Sequence, residues 1–159
     1  MMMTRYRFTV AIFCLVMFLT ASRVVDAQSS GAAAIPIADL MQPADLAQLL
    51  NSPIGSKPLV LQVGSHVLYA EAHIPGAEYV GAGGQDEGLQ ALQARVVRLE
   101  RTHFIVLYCG CCPWSRCPNI QPAYQKMRTL GFTHVKVLYI ANNFGADWVD
   151  KGYPVAKGR

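Results

Sequence analysis

Short apolar runs alternate with helix-like patterns along most of this chain. The stretch "PLVLQV" (58–63) is β-rich and apolar at successive positions, the pattern of a strand covered on both faces of a parallel sheet. "AEYV" (77–80), "FIVLY" (104–108) and "HVKVLYI" (134–140) give three further strands, of which "FIVLY" is the clearest. Helices are predicted between them. Pro43 opens one over 43–50, with Leu46, Leu49 and Leu50 on one side. A second, over 86–101, spaces Leu89, Leu92, Val96 and Leu99 at helical intervals. Arg95, Arg98 and Arg101 fall on its other faces beside Glu87 and Glu100, so the arginines form a solvated surface rather than a binding stripe. A third, over 120–130, turns Tyr124, Met127 and Leu130 inward and stops at Gly131, a residue suited to a helix C-cap. Strands alternating with helices predict an α/β domain with a mainly parallel sheet. There is no internal repeat. "GAGG" (81–84) lacks the spacing of a dinucleotide- or phosphate-binding loop, and reads as a flexible connection between a strand and a helix.

The first thirty residues follow a different pattern. Arg5 and Arg7 make a basic start, Val10 to Leu19 is an unbroken apolar run, and Val25 and Ala27 are small enough for the two sites a signal peptidase inspects. This is the layout of a secretory signal peptide cleaved after Ala27, and the run is too short to span a bilayer, which takes about 20 apolar residues. The expected product is periplasmic or secreted, with 28–34 as a flexible lead-in and 35–159 as one domain. Loss of Arg5, Arg7, Arg23 and Asp26 lowers the net charge from +4 to +2, which gives no case for nucleic acid or for a membrane surface. Cys14 leaves with the signal. All four remaining cysteines then lie in one stretch, "YCGCCPWSRCPNI" (108–120).

That stretch begins where the strongest strand ends and finishes where a helix begins. Ligands in parallel α/β sheets bind at the carboxyl ends of the strands, and a helix N-terminus adds unpaired N–H groups and a positive dipole end. A cysteine there should be substantially thiolate, and Cys109 is the best placed of the four.

Four stretches carry a resemblance to the rhodanese family of sulfurtransferases over about residues 35 to 157. "AHIPGAEYVG" (72–81) resembles the family's turn before its third strand, and "FIVLYC" (104–109) the strand that delivers the catalytic cysteine. "LGFTHVKVL" (130–138) resembles the helix end and following strand, and "NNFGADWVDKGYPV" (142–155) the closing segment with Trp148 on a short helix. The resemblance implies a mainly parallel five-stranded sheet flanked by helices. It also implies that Cys109 accepts the outer sulfur of a donor, becomes a persulfide, and passes the sulfur to a thiol or another thiophilic acceptor. The donor would be a small sulfur-containing anion or a persulfide, and no cofactor is required. Gly110, Cys111, Cys112, Trp114 and Arg116 would then line the bound donor, with Arg116 as an anion contact or a solvent-facing side chain and Trp114 as a cover for the loop backbone.

Three departures leave other readings open. The loop is several residues longer than the family's, the insertion contains Cys111, Cys112, Pro113, Trp114 and Cys117, and Gln62-Val63-Gly64 stands where the family commonly has Asp-x-Arg. Cys111, Cys112 or Cys117 could resolve a disulfide with Cys109 in dithiol exchange, or form a purely structural disulfide. Cys109, Cys111, Cys112 and Cys117 could instead hold Cu(I), because C-x-C-C-x4-C does not match the paired spacing of zinc sites. The placement of Cys109 ranks sulfur transfer first, redox exchange second and metal binding third. His73 is expected to stabilise its turn, since transfer to a preformed thiolate needs no base; His66, His103 and His134 are surface or core residues.

Overall fold

A computed structural model describes residues 34–158, so the predicted signal peptide and the lead-in through residue 33 lie outside the described residues. The described elements are β1 (Leu40–Met41), α1 (Pro43–Asn51), β2 (Leu59–Gln62), α2 (His66–Glu71), β3 (Glu78–Tyr79), α3 (Asp86–Val96), β4 (Ile105–Tyr108), α4 (Ile120–Thr129) and β5 (Val135–Leu138). The five strands form one parallel sheet in the order β1-β5-β4-β2-β3. β4 is central, and its register pairs Leu61 with Leu107 and Gln62 with Tyr108. The expectation of a mainly parallel, five-stranded α/β sheet holds. Among the described residues no helix is long and apolar enough to cross a membrane.

All four residues of β4 are buried, which is why it reads as a continuous apolar run. Strand periodicity divides them between two cores. Ile105, Leu107 and then Cys109 join Leu92, Val96, Tyr124 and Met127 from α3 and α4. Val106 and Tyr108 join Leu46, Tyr69, Phe144 and Trp148 on the opposite face. The side chain of Cys109 is thereby aimed at the α4 side. Trp148 lies on a single wide helical turn, Gly145–Val149, fully buried, and its indole N–H donates to the carbonyl of Pro154 at 2.8 Å. His73 does stabilise its turn: it pairs backbone to backbone with Ala156, and its Nδ1 lies 2.8 Å from the carbonyl of Tyr69.

Two expectations need correction, and two elements are added to those predicted. The helix predicted over 86–101 stops at Val96. The chain must turn back to start β4, and the carbonyl of Arg101 is taken by the N–H of Thr133 while its guanidinium lies over the Phe132 ring. β1 and α2 are not visible in the hydrophobic pattern, because β1 has two residues and α2 buries only Tyr69. "GAGG" is not a loose connection. A Cβ on Gly83 would stand 2.3 Å from the carbonyl oxygen of Asn119, and one on Gly81 would stand 2.7 Å from Cα of Gly88. The segment is a packed platform beneath the start of α4.

Candidate active site

The end of β4 is closed by Gln62 on the neighbouring strand. Its Nε2 donates to the carbonyl of Cys109 at 3.3 Å, and its Oε1 accepts from the N–H of Gly64 at 3.1 Å. The neutral amide thus does the joining at the position where the family commonly carries charge. Gly64 leaves room for the sulfur: a Cβ there would come within 2.8 Å of Cys109 Sγ. The chain then bends through Gly110, whose φ of +75° suits glycine and whose missing side chain lets Phe144 approach. Cys109 is only 5% exposed.

The loop folds its cysteines back onto that sulfur. Cys109 Sγ and Cys111 Sγ are 3.0 Å apart, and Cys111 Sγ and Cys112 Sγ are 3.1 Å apart. The sulfurs of Cys109, Cys111 and Cys117 all lie within 4.8 Å of one another. This trio could hold a soft thiophilic ion; Cys112, counted in the four-sulfur set expected from sequence, stands outside it. All four cysteines are free thiols. Trp114 is half-buried, with its ring 5.1 Å from that of Tyr139 and its backbone N–H on the carbonyl of Ala141. Arg116 is exposed and lines neither opening beside Cys109.

Asn119 completes the site, and sequence pattern alone does not single it out. It is 8% exposed, its Nδ2 lies 3.4 Å from Cys109 Sγ and 3.6 Å from Cys111 Sγ, and its Oδ1 accepts from the N–H of Gly84 at 2.9 Å. The glycine platform therefore orients an amide donor toward two sulfurs. The available signal is an Asn at a helix start shortly after a cysteine, but such an Asn reads first as a capping residue.

The negative charge rests elsewhere than expected. Hydrogen bonding to Cys117, and then burial, hold the Cys109 thiol far above the ordinary thiol range. Cys117 goes the other way, down to about 5: the Cys109 thiol donates to it, and the backbone N–H groups of Asn119 and Ile120 donate too, outweighing burial. Burial, then the hydrogen bond with Cys111, pushes Cys112 up to about 12. The sulfur at the start of α4 is Cys117, and the inserted loop, not β4, delivers it there. The expected thiolate at Cys109 is corrected on that ground.

Two openings meet at Cys109. One is a cavity of about 400 Å³ lined by Cys109, Gly110 and Cys111, with Leu68, Phe144 and Val149 along its apolar wall. Glu71 is its one charged lining residue. The other is a narrow crevice lined by Cys109, Cys112, Trp114 and Cys117.

No family model matches the sequence, and no curated protein matches it significantly. Solved structures do match. The Alr3790 protein of an Anabaena species superposes with a TM-score of 0.57 at 20% identity, over 74% of this chain and 92% of that one. The rhodanese-like domain of the same Anabaena protein, solved in solution, gives 0.55 at 21% identity, over 75% and 79%. The BH2092 protein of Bacillus halodurans gives 0.56 at 25% identity, over 74% and 75%. The parallel sheet, the central strand ending in a cysteine and these superpositions agree: the described domain has the rhodanese-like fold.

Proposed function

We propose that the domain is a sulfurtransferase in which Cys109 carries a sulfane sulfur as a persulfide. The observation that supports this most is the seat of Cys109 Sγ at the end of the central strand. Cys109 lines the larger cavity, and its sulfur is cleared by Gly64 and faces the Nδ2 of Asn119. In the uptake step, Cys109 sulfur attacks the outer sulfur of a donor R–S–SH. A new S–S bond forms to Cys109, the donor's S–S bond breaks, and R–S⁻ leaves. As the new bond forms the Cys109 S–H becomes strongly acidic, and its proton passes to the neighbouring Cys117 sulfur. The amide of Asn119 stabilises negative charge on the sulfurs as it develops. The cavity has no cationic lining residue and carries Glu71, so a persulfide or polysulfide donor suits it better than the dianion thiosulfate.

The test is intact mass of the reduced protein before and after exposure to glutathione persulfide. The native protein should gain one sulfur atom, removable by reductant, and Cys109→Ser should gain none. An unchanged native mass, or an equal gain in Cys109→Ser, overturns the reading.

Dithiol–disulfide exchange is the second reading. It is favoured by the 3.0 Å separation of Cys109 and Cys111 together with the low-pKa sulfur of Cys117 beside them. In the same experiment it would appear as a loss of two hydrogens with no added sulfur.

A further inference from the structure

Sulfur that enters at Cys109 must also leave, and the loop offers a route out; this rests on the sulfurtransferase reading. Cys109 is too deeply buried for a thiol on another folded protein to reach it directly. A small donor can meet it through the cavity, where Cys111 is also exposed to the same space. Cys112 does not line that cavity. It lines the crevice on the other side of the loop, beside Trp114, and is more open than Cys109 or Cys117. The sulfurs of Cys109, Cys111 and Cys112 form a continuous file at 3.0 and 3.1 Å, leading from the buried end of β4 to the outer side of the loop. For the outer sulfur of a persulfide to lie in line between two of them, the pair must part to about 4 Å or more, two S–S lengths of about 2.05 Å each, which takes side-chain rotation rather than refolding of the loop.

We propose that the loop is an intramolecular sulfur relay whose final acceptor is a protein thiol docking beside Cys112. Cys111 sulfur attacks the outer sulfur of the Cys109 persulfide. The Cys111–S bond forms, the bond from Cys109 to the outer sulfur breaks, and the proton of the attacking thiol passes to Cys109. Cys112 repeats the step on Cys111. The net change is Cys109–S–SH plus Cys112–SH giving Cys109–SH plus Cys112–S–SH, with no oxidant or reductant consumed. Asn119 is poised for the first step, since its Nδ2 reaches both Cys109 and Cys111. Cys117 lies outside the file, with its sulfur within 4.8 Å of those of Cys109 and Cys111.

The experiment charges the full chain with glutathione persulfide, traps it at successive times with an alkylating agent, and locates the sulfane sulfur by peptide mass spectrometry. In the native protein, label should appear on Cys109 first, then Cys111, then Cys112. In Cys111→Ser it should stay on Cys109. Delivery is read with two acceptors: cyanide, small enough for the cavity, and thiols tethered to agarose beads, which cannot enter. The ratio of bead transfer to cyanide transfer should fall at least tenfold in both Cys111→Ser and Cys112→Ser. If Cys109 takes no sulfur in the native protein, the sulfurtransferase reading fails. If Cys109 is charged but label never advances to Cys112 in the native protein, the relay alone is wrong. The relay is equally wrong if both variants keep the native ratio. Release of sulfide with a Cys109–Cys111 disulfide also overturns it, because Cys111 would then have attacked the inner sulfur.

Discussion

The two faces of the sheet beside Cys109 are built on opposite rules. On the Trp148 face, the polar side-chain atoms of Tyr69, Tyr108 and Trp148 are tied to the backbone. Tyr69 hydroxyl donates to the carbonyl of Ala77, Tyr108 hydroxyl accepts from the N–H of Ile74, and Trp148 donates to Pro154. On the thiol face, the side chains of Cys109, Cys111, Cys112, Cys117 and Asn119 mostly bond to one another. A side chain tied to backbone has one state, set by the fold. Thiols bonded to one another can redistribute their protons when one of them reacts, because no partner is fixed by the backbone. The aromatic face is the frame, and the thiol face is where chemistry has freedom.

The contrast is broken most severely at Trp148. It is fully buried, stacked 5.9 Å from Phe144 and hydrogen-bonded to Pro154. Trp148→Ala should cost about 3–5 kcal/mol, read from a shift in urea midpoint at unchanged slope. A cost below about 1 kcal/mol would mean that this face is not the frame.

A smaller effect tests the thiol face. The Cys117 thiol should titrate near pH 5, well below the ordinary value of about 8.5 for a free cysteine. Its thiolate absorbance in the ultraviolet should therefore persist on acidification until that point and be missing in Cys117→Ser. The sign for stability follows. A folded-state pKa below the unfolded one stabilises the fold fully above about pH 8.5, and that contribution is lost as pH falls through about 5. Cys109, held high, acts only above the ordinary thiol range, where the unfolded chain ionises and the fold does not. The interval between is thus governed by Cys117, and Cys117→Ser should flatten the slope there. A thiolate that titrates instead with Cys109 would return the charge to the end of β4.

What is legible in the sequence follows the same division. Strands buried on both faces, such as "FIVLY", announce themselves by composition, and the strand end that seats Cys109 comes with them. β1 is silent because two residues have no period. The glycines at 83 and 84 mislead because a glycine's meaning depends on what approaches it, here the backbone of Pro118 and Asn119. Proximity to the helix start points to a thiolate at Cys109, but the long loop puts Cys117 at that start instead. Asn119 escapes for a related reason: its partners, Gly84, Cys109 and Cys111, are brought to it by folding of separate segments. Local periodicity is written residue by residue, whereas a site closed by a folded loop is not.

The smallest effect is expected at Arg116. It sits on the one-turn helix Trp114–Arg116, is exposed, and lines neither the cavity nor the crevice. Exposed substitutions away from caps and buried contacts usually change stability by less than about 0.5 kcal/mol. Arg116→Ala should therefore leave the urea midpoint unchanged and keep kcat/KM for a persulfide donor within about twofold. A donor held by this guanidinium would behave differently. One charge-assisted hydrogen bond contributes about 1.5–3 kcal/mol, so its loss would lower kcat/KM by about tenfold or more. A fall of that size, with stability intact, would show that the Cys112–Cys117 segment swings over the cavity when donor binds. Arg116 would then belong to the thiol face rather than to its solvated rim.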